Sequence, residues 1–228
     1  MKPVILFVTG SDTGVGKTVF ASLLTRYLRA RGFRVAGLKP VCSGGRSDAV
    51  ALREAAGKVL PLDEVNPWHF RAPLAPLLAA RRDQRRVTRQ QVLAHICHVA
   101  KDFEVVVVEG AGGLLSPLGV DFDSRALIRA LRAVPVIICG NRLGAVNQAL
   151  LVRNALPRQA ARRAQIVLVA PDRPNSASRT NPPLLRELAR NTPVHELPHL
   201  RDPGALDAVL SHPPVHRALA ALLREIVG

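Results

Sequence analysis

Val4-Ile5-Leu6-Phe7-Val8-Thr9 runs directly into Gly10-Ser11-Asp12-Thr13-Gly14-Val15-Gly16-Lys17-Thr18-Val19, and Phe20, Leu23, Leu24, Tyr27 and Leu28 follow at helical spacing. An apolar run, a glycine-rich turn and a periodic segment in this order describe a buried strand, a tight loop and a helix opening on Lys17-Thr18. Such a loop converges its backbone N–H groups on phosphate oxygens, and the positive end of the following helix adds to the field. Lys17 is placed to reach the terminal phosphates of a nucleoside triphosphate, and the Thr18 hydroxyl to sit on Mg²⁺. One position departs from the usual pattern: Ser11 stands where a glycine is expected, and Gly10 lies one residue earlier.

The rest of the chain alternates strand-like and helix-like segments. Strands are expected at Ile5–Thr9, Val35–Lys39, Val105–Glu109, Val134–Cys139, Ile166–Ala170 and Val194–Leu197. Several are continuous β-branched runs, as in parallel strands covered on both faces. Helices are expected at Lys17–Arg31, Ser47–Gly57, Thr88–Lys101, Ser124–Arg132, Ala145–Leu156, Leu184–Arg190 and Val215–Ile226, with Thr88 as an N-cap and Gly32 as a stop. The alternation implies right-handed crossovers and a mostly parallel, twisted sheet with helices on both faces, an α/β fold of three layers. The proline-rich stretches Pro61–Pro76 and Pro171–Pro183 read as long surface loops. A length of 228 residues suits one domain spanning 1–228.

Composition narrows the function classes. No uncharged apolar stretch approaches membrane-spanning length, and the N-terminal apolar run is too short for a secretory core. The three cysteines are far apart and lack CxxC spacing; reduced thiols fit a cytoplasmic protein. Cys97 between His95 and His98 reads as core or surface, because no second ligand pair follows. The net charge of +15 invites a nucleic-acid reading, but the arginines are scattered and aromatic residues make up only 4 %, so stacking platforms are scarce. Nucleic acid is therefore an unfavoured partner.

Ligands of parallel sheets bind beyond the carboxyl ends of the strands, which gathers several polar segments along one edge. Lys39 leaves the second strand in Lys39-Pro40-Val41-Cys42-Ser43-Gly44. It either snorkels to solvent or acts as a fixed cation beside the phosphate loop, where positive charge stabilises a transferring phosphoryl group. Ser43 and the Gly44-Gly45 amides offer donors to a small polar substrate. Asp48 either pairs with the start of the next helix or helps hold Mg²⁺. Four valines end in Glu109-Gly110-Ala111-Gly112-Gly113; Glu109 is a metal-supporting carboxylate or an ordinary strand-end acid, and so many glycines imply close backbone approach or positive φ. Asn147, near a helix start, is a cap or a group that recognises a carboxylate or amide.

Taken together, these residues resemble the dethiobiotin synthetases. Gly10–Thr18 is close to that family's GTDTxVGKT, KPVCSG to KPVxSG, EGAGGLLSPL to EGAGGxxxPL, and NRLGAVNQALL to its LGxxNH segment. SDAVAL, VNPWHF and the Ala-Pro pairs resemble its middle section, so the correspondence runs from Phe7 to about Leu200. The resemblance implies a P-loop NTPase fold, a homodimer, and use of ATP, Mg²⁺ and CO₂ to close a ureido ring on 7,8-diaminononanoate through a carbamate and a carbamic-phosphoric anhydride. It implies that Lys39 and Lys17 stabilise the transferring phosphate, that Thr18, Asp48 and Glu109 organise Mg²⁺, and that Thr13 and Ser43 hold the diamine or carbamate. ATP would lie along Gly14, Val15, Gly16, Lys17, Thr18 and Val19, with Asp48, Glu109, Gly110, Ala111 and Gly112, and against Pro198, His199 and Leu200. Asn147 would bind the acid end of the diamine across the dimer interface.

The chain departs from that family at several places. Pro171-Asp172 replaces the Asn-Asp that reads adenine, and proline has no amide side chain to pair with a base; this leaves the nucleotide preference open. Ser176–Pro183 lacks a tyrosine, the loop from Gly44 to Asp48 is short, and Gln148 replaces a histidine. A second class is a regulatory or partitioning ATPase with a related loop, but such proteins carry an early second lysine where this chain has Ser11-Asp12-Thr13. A third is an amide-forming ligase of cobalamin type, which would usually need a glutaminase portion that this length leaves little room for.

Overall fold

The computed structural model describes residues 3–200 and 205–227. Six parallel strands form the central sheet: β1 (Val4–Gly10), β2 (Val35–Leu38), β5 (Val105–Glu109), β6 (Val134–Gly140), β7 (Gln165–Val169) and β8 (Val194–Leu197), in the order β2-β5-β1-β6-β7-β8. Two short strands, β3 (Val41–Ser43) and β4 (Trp68–Phe70), pair in parallel as a separate ribbon.

Period-two burial sorts each strand's residues to two cores. Leu6, Val8, Val107, Val136, Ile138 and Val167 pack with Phe20, Leu23, Leu24 and Leu28 of α1 (Lys17–Ala30) and with Val215, Leu219 and Leu222 of α11 (Pro213–Val227). Phe7, Val106, Val108, Ile137, Ile166 and Leu168 face the other way. They meet α5 (Arg89–Val99), α6 (Ser124–Leu131), α7 (Ala145–Ala155) and α9 (Ser176–Ala189). Both faces of the inner strands β5, β1, β6 and β7 are covered, which is why they read as largely apolar runs, whereas the edge strand β8 exposes Glu196. No helix of the described residues is long and apolar enough to cross a membrane.

The direction of the connections sets the site. β1 leads through α1 to β2 on one side, with β5 inserted between β1 and β2, and the chain then crosses to β6 on the far side of β1. Adjacent strand ends whose connections depart in opposite directions open a crevice there.

Several local expectations hold. Thr88 caps α5 in a reciprocal box with Gln91, and Gly32 follows α1 at φ 86°. Two do not. Pro61–Pro76 is not a loop: it holds α3 (Leu62–Val65), β4 and the first residue of α4 (Pro76–Arg82). Proline is tolerated at the first turn of a helix, so Pro76 starts an element rather than interrupting one. Pro171–Pro183 is a loop only to Asn175, because α9 begins at Ser176 and contains Pro182 and Pro183. Pro182 has no N–H for the Ser178 carbonyl one turn back, and the Asn141 side-chain amide takes that carbonyl instead at 2.8 Å. Asn181 closes the network on Asn141 Oδ1 at 2.9 Å. A tertiary contact thus supplies what the proline removes. The helices α2 (Ser47–Ala55), α8 (Arg158–Ala161) and α10 (Leu206–Leu210) complete the order.

His195 on β8 is 9 % exposed, and its Nε2 sits 2.9 Å from Gln165 Oε1. Burial, with Arg186 adding to it, pushes the ring's pKa down from 6.5 to about 4. The folded state therefore resists protonation: the contribution is complete above pH 6.5 and is lost as pH falls toward 4, by about 3 kcal/mol. Urea midpoints should fall over that window in the wild type and fall less in His195→Gln.

Candidate active site

The phosphate loop closes over the end of β1. Ser11 N–H donates to Ile138 O at 2.9 Å, so the loop's entry is still tied to β6. Gly16 sits at φ 96° immediately before α1, in the left-handed region where a side chain is strained. No side chain caps α1, so its first N–H groups remain available to a phosphate. Lys17 is 6 % exposed, and its ammonium donates to Asp12 O at 2.7 Å. Burial and the Lys39 charge lower its pKa, and Glu109, Asp48 and Asp12 offset this only in part. A bound polyphosphate would relieve both penalties.

Three segments bring charge to the same place. Lys39, just past β2, is 3 % exposed and does not snorkel to solvent. Its Nζ donates to Glu109 Oε1 at 2.6 Å and lies 2.9 Å from Asp48 Oδ2. Glu109, the last residue of β5, is 1 % exposed and accepts from Thr18 Oγ1 at 2.8 Å on the same oxygen. Asp48 does not cap α2; the cap position is Arg46, and the Asp48 carboxylate reaches across to Lys39.

Burial opposes the Lys39 charge, but the Glu109 and Asp48 carboxylates outweigh it and hold the ammonium above its ordinary value. Burial would raise Asp48 as well, and there Lys39, Thr18 and Lys17 win and hold it below the usual carboxylate range. Burial pushes the Glu109 carboxyl up, and Lys39 offsets this only in part. Because two carboxylates face a single ammonium, the charged form of Lys39 is the one that persists.

Glu109 Oε2 is buried and has no hydrogen-bond partner among the described residues. An orphaned carboxylate oxygen beside a second carboxylate and a hydroxyl fits a hard divalent cation. Among the described residues no cluster of three or more His, Cys, Asp or Glu can hold a metal by itself. Mg²⁺ usually takes one or two carboxylates together with substrate phosphates, so Thr18, Asp48 and Glu109 are the matching set.

These groups line one cavity of about 740 Å³. Thr13, Gly14, Gly16, Lys17, Thr18, Val19, Lys39, Ser43, Asp48, Glu109, Ala111 and Gly112 all reach it. Val15 and Gly110 do not line it. Gly112 is at φ 68°, and a Cβ there would fall 2.4 Å from Ser116 Oγ, which is one reason the turn after Glu109 is rich in glycine. The far wall is Pro73–Pro76, to which Ser43 Oγ is tied by a 2.5 Å bond to Leu74 O. That wall, Cys42 and Ser116 were not foreseen as lining residues; the Ala-Pro pairs were the one visible hint.

Pro198, His199 and Leu200 follow β8 and lie outside this cavity, as do Pro171 and Asp172 after β7. The two segments do adjoin: Ala170 N–H donates to Leu197 O at 2.8 Å, and His199 Nε2 is 3.6 Å from Asp172 Oδ1. Asn147 is exposed on α7 and does not reach the cavity of its own chain.

Comparison with known proteins places this arrangement. The family model described as "AAA domain" matches residues 5–206. The chain is 36 % identical to the ATP-dependent dethiobiotin synthetase of Akkermansia muciniphila, covering 89 % of this chain and 96 % of that protein. It is 45 % identical to the ATP-dependent dethiobiotin synthetase of Anaeromyxobacter dehalogenans strain 2CP-C, over 72 % of this chain and 75 % of that one. A ParA family ATPase from Chlorobium tepidum superposes with a TM-score of 0.61 at 12 % identity, covering 98 % of this chain and 99 % of that one; at that identity the likeness concerns the fold alone.

Proposed function

The chain belongs to the family of ATP-dependent dethiobiotin synthetases, and from that premise we propose how its residues divide the work of closing a ureido ring. The observation that carries the reading is the convergence of Lys17, Thr18, Lys39, Asp48 and Glu109 on one cavity at the ends of parallel strands.

One amine of 7,8-diaminononanoate adds to CO₂ and loses a proton, giving a carbamate. Thr13 and Ser43 hold that end of the substrate against the Pro73–Pro76 wall. The carbamate oxygen attacks the γ-phosphorus while the bond to the ADP oxygen breaks, forming a carbamic-phosphoric anhydride. Lys17 and Lys39 neutralise the equatorial oxygens as charge moves onto the leaving diphosphate. The second amine attacks the carbonyl carbon, phosphate leaves, and the ring closes. Thr18, Asp48 and Glu109 would hold Mg²⁺, which when bound would supply positive charge against that of the phosphates. Little covalent chemistry falls to the protein, and positioning dominates.

The base of the nucleotide would run past Gly16 toward Pro171, Asp172 and the segment Pro198–Leu200. Val169 at the end of β7 supports this path, since a Cβ on Gly16 would touch it at 3.5 Å. A homodimer fits the exposed leucines beside the site. Leu143, at 84 % exposure, lies in the turn just before α7, and Leu151, at 61 %, sits one helical turn beyond Asn147 on α7. Exposed leucines around one exposed amide suit an interface that offers Asn147 to the neighbouring subunit's diamine carboxylate. The partitioning-ATPase alternative rests on fold likeness only, and the loop lacks the second lysine. The place of action is taken to be the cytoplasm.

With ATP, Mg²⁺, bicarbonate and the diamine, purified protein should release phosphate and cyclic urea in equal amounts and sediment as a dimer. Phosphate release that ignores the diamine and responds to DNA would overturn this reading.

A further inference from the structure

We infer that Asn66 is a positioning residue that fixes Lys39 and Asp48 relative to one another. The inference rests on the roles proposed above for those two residues. Asn66 is fully buried, and nothing in the phosphate chemistry uses it.

The reason lies in one proline, Pro67. Beyond β2 the chain continues alongside the segment from Val65 to β4. Lys39 N–H donates to Val65 O at 2.9 Å, and Trp68 N–H donates to Pro40 O at 3.1 Å. The Lys39 carbonyl lies between these bonds. Opposite it, Pro67 has no N–H, and the Asn66 N–H is already given to Leu62 O at 2.9 Å. No main-chain donor is left on that stretch, and a buried carbonyl without a partner is costly. The Asn66 side-chain amide fills the gap, donating Nδ2–H to Lys39 O at 2.6 Å. Pro67 also biases Asn66 out of the helical region; its φ of −142° ends α3 and lets the side chain turn inward.

The other end of the same amide reaches α2. Asn66 Oδ1 accepts from Arg46 Nε at 3.2 Å and lies 3.2 Å from Cys42 Sγ. Arg46 Nη2 donates to the Leu62 and Asn66 carbonyls, each at 3.0 Å. Arg46 is the cap residue of α2, two positions before Asp48. Arg46 also pairs with Asp63 at 2.8 Å, but that carboxylate is 87 % exposed, so the pair adds little rigidity. One buried amide therefore bridges the segment carrying the ammonium and the segment carrying its acid, whose heavy atoms sit 2.9 Å apart.

Misplacing a reacting group by about 1 Å costs roughly 100-fold in rate. Asn66→Asp keeps the shape and the acceptor for Arg46 but removes the donor to Lys39 O. We expect kcat to fall roughly 10- to 100-fold, the half-saturating Mg²⁺ concentration to rise, and KM for ATP to stay within about threefold, since the loop amides that bind phosphate are untouched. Asn66→Ala, which loses both contacts, should show the same split with a larger loss. Thermal melts give the folded fraction for each variant. Unchanged kcat and Mg²⁺ response in both variants would sink the inference, as would losses of kcat and ATP affinity that merely follow the folded fraction. Lys39→Ala run in parallel separates the two levels. Turnover retained there removes the premise; turnover lost there but kept in both Asn66 variants overturns the inference alone.

Discussion

Lys39→Ala is expected to lower kcat by roughly 10²- to 10³-fold, the loss typical of one preorganised charge-stabilising group in a water-poor site. The ammonium is 3 % exposed and held by Glu109 Oε1, Asp48 Oδ2 and Gly110 O at 2.6, 2.9 and 3.3 Å. It has no freedom to be replaced by a mobile solvent cation in the same position. ATP affinity should change little, because the loop amides and Lys17 remain. Removing one member of a buried ion pair also costs about 3–5 kcal/mol of stability, so turnover must be normalised to folded protein. Lys39→Gln, which refills the volume and keeps a donor toward Glu109, should recover stability but not rate. Calorimetry with ATP, together with phosphate release under saturating diamine, checks both halves. Wild-type turnover in folded Lys39→Ala would remove Lys39 from the mechanism.

Glu109→Gln should raise the Mg²⁺ concentration needed for half-maximal rate at least tenfold and lower kcat by roughly 10- to 100-fold, since even partners that only orient a metal's ligands carry effects of about this size and Glu109 is itself a proposed ligand. The change removes the carboxylate's charge, including at the buried oxygen that has no partner among the described residues. A pH signature accompanies the loss. Burial alone would lower the Lys39 pKa, and Glu109 is the larger of the two carboxylates' opposing effects. In the wild type the ammonium therefore survives to above its ordinary value of 10.5. The stability it contributes is present below that pH and is lost as pH rises through the folded-state value. In Glu109→Gln the folded-state value drops, so the alkaline limb of the kcat profile should move to lower pH. Profiles of the two proteins measured at saturating Mg²⁺ test this. Coincident alkaline limbs would mean that Glu109 does not govern the charge on Lys39.

Much of the architecture was legible because local and global preferences agree. Val105-Val106-Val107-Val108 has only one comfortable place, a strand covered on both faces. The loop from Gly10 to Thr18, with a strand before it and an apolar stripe after it, leaves little choice of conformation. Illegible elements were those whose stability comes from elsewhere in the chain. Pro182 and Pro183 argue against a helix, and α9 crosses them because Asn141, some forty residues earlier, takes the Ser178 carbonyl. The ribbon of β3 and β4 is three residues a strand, too short for any periodicity. Cys42, Ser116 and the Pro73–Pro76 wall carry no chemical motif; they line the cavity only because the ribbon and α4 fold over it.

The identities of the chemical groups, and the strand ends on which they stand, were determined by the sequence alone. A phosphate loop, a strand-end lysine and a strand-end glutamate follow from residue type and apolar spacing over short distances. Whether each group is buried, and what it pairs with, was decided only in three dimensions. Lys39 reads equally as a solvated side chain and as a buried cation until Glu109, seventy residues away, and Asp48 close on it at hydrogen-bond distance. Asn66, its own N–H turned to Leu62, has no visible task until Pro67 leaves the Lys39 carbonyl without a main-chain donor. The physical reason is the same in each case. The energy of a charge or a polar group depends on its burial and its partners, and both are set by how distant segments pack.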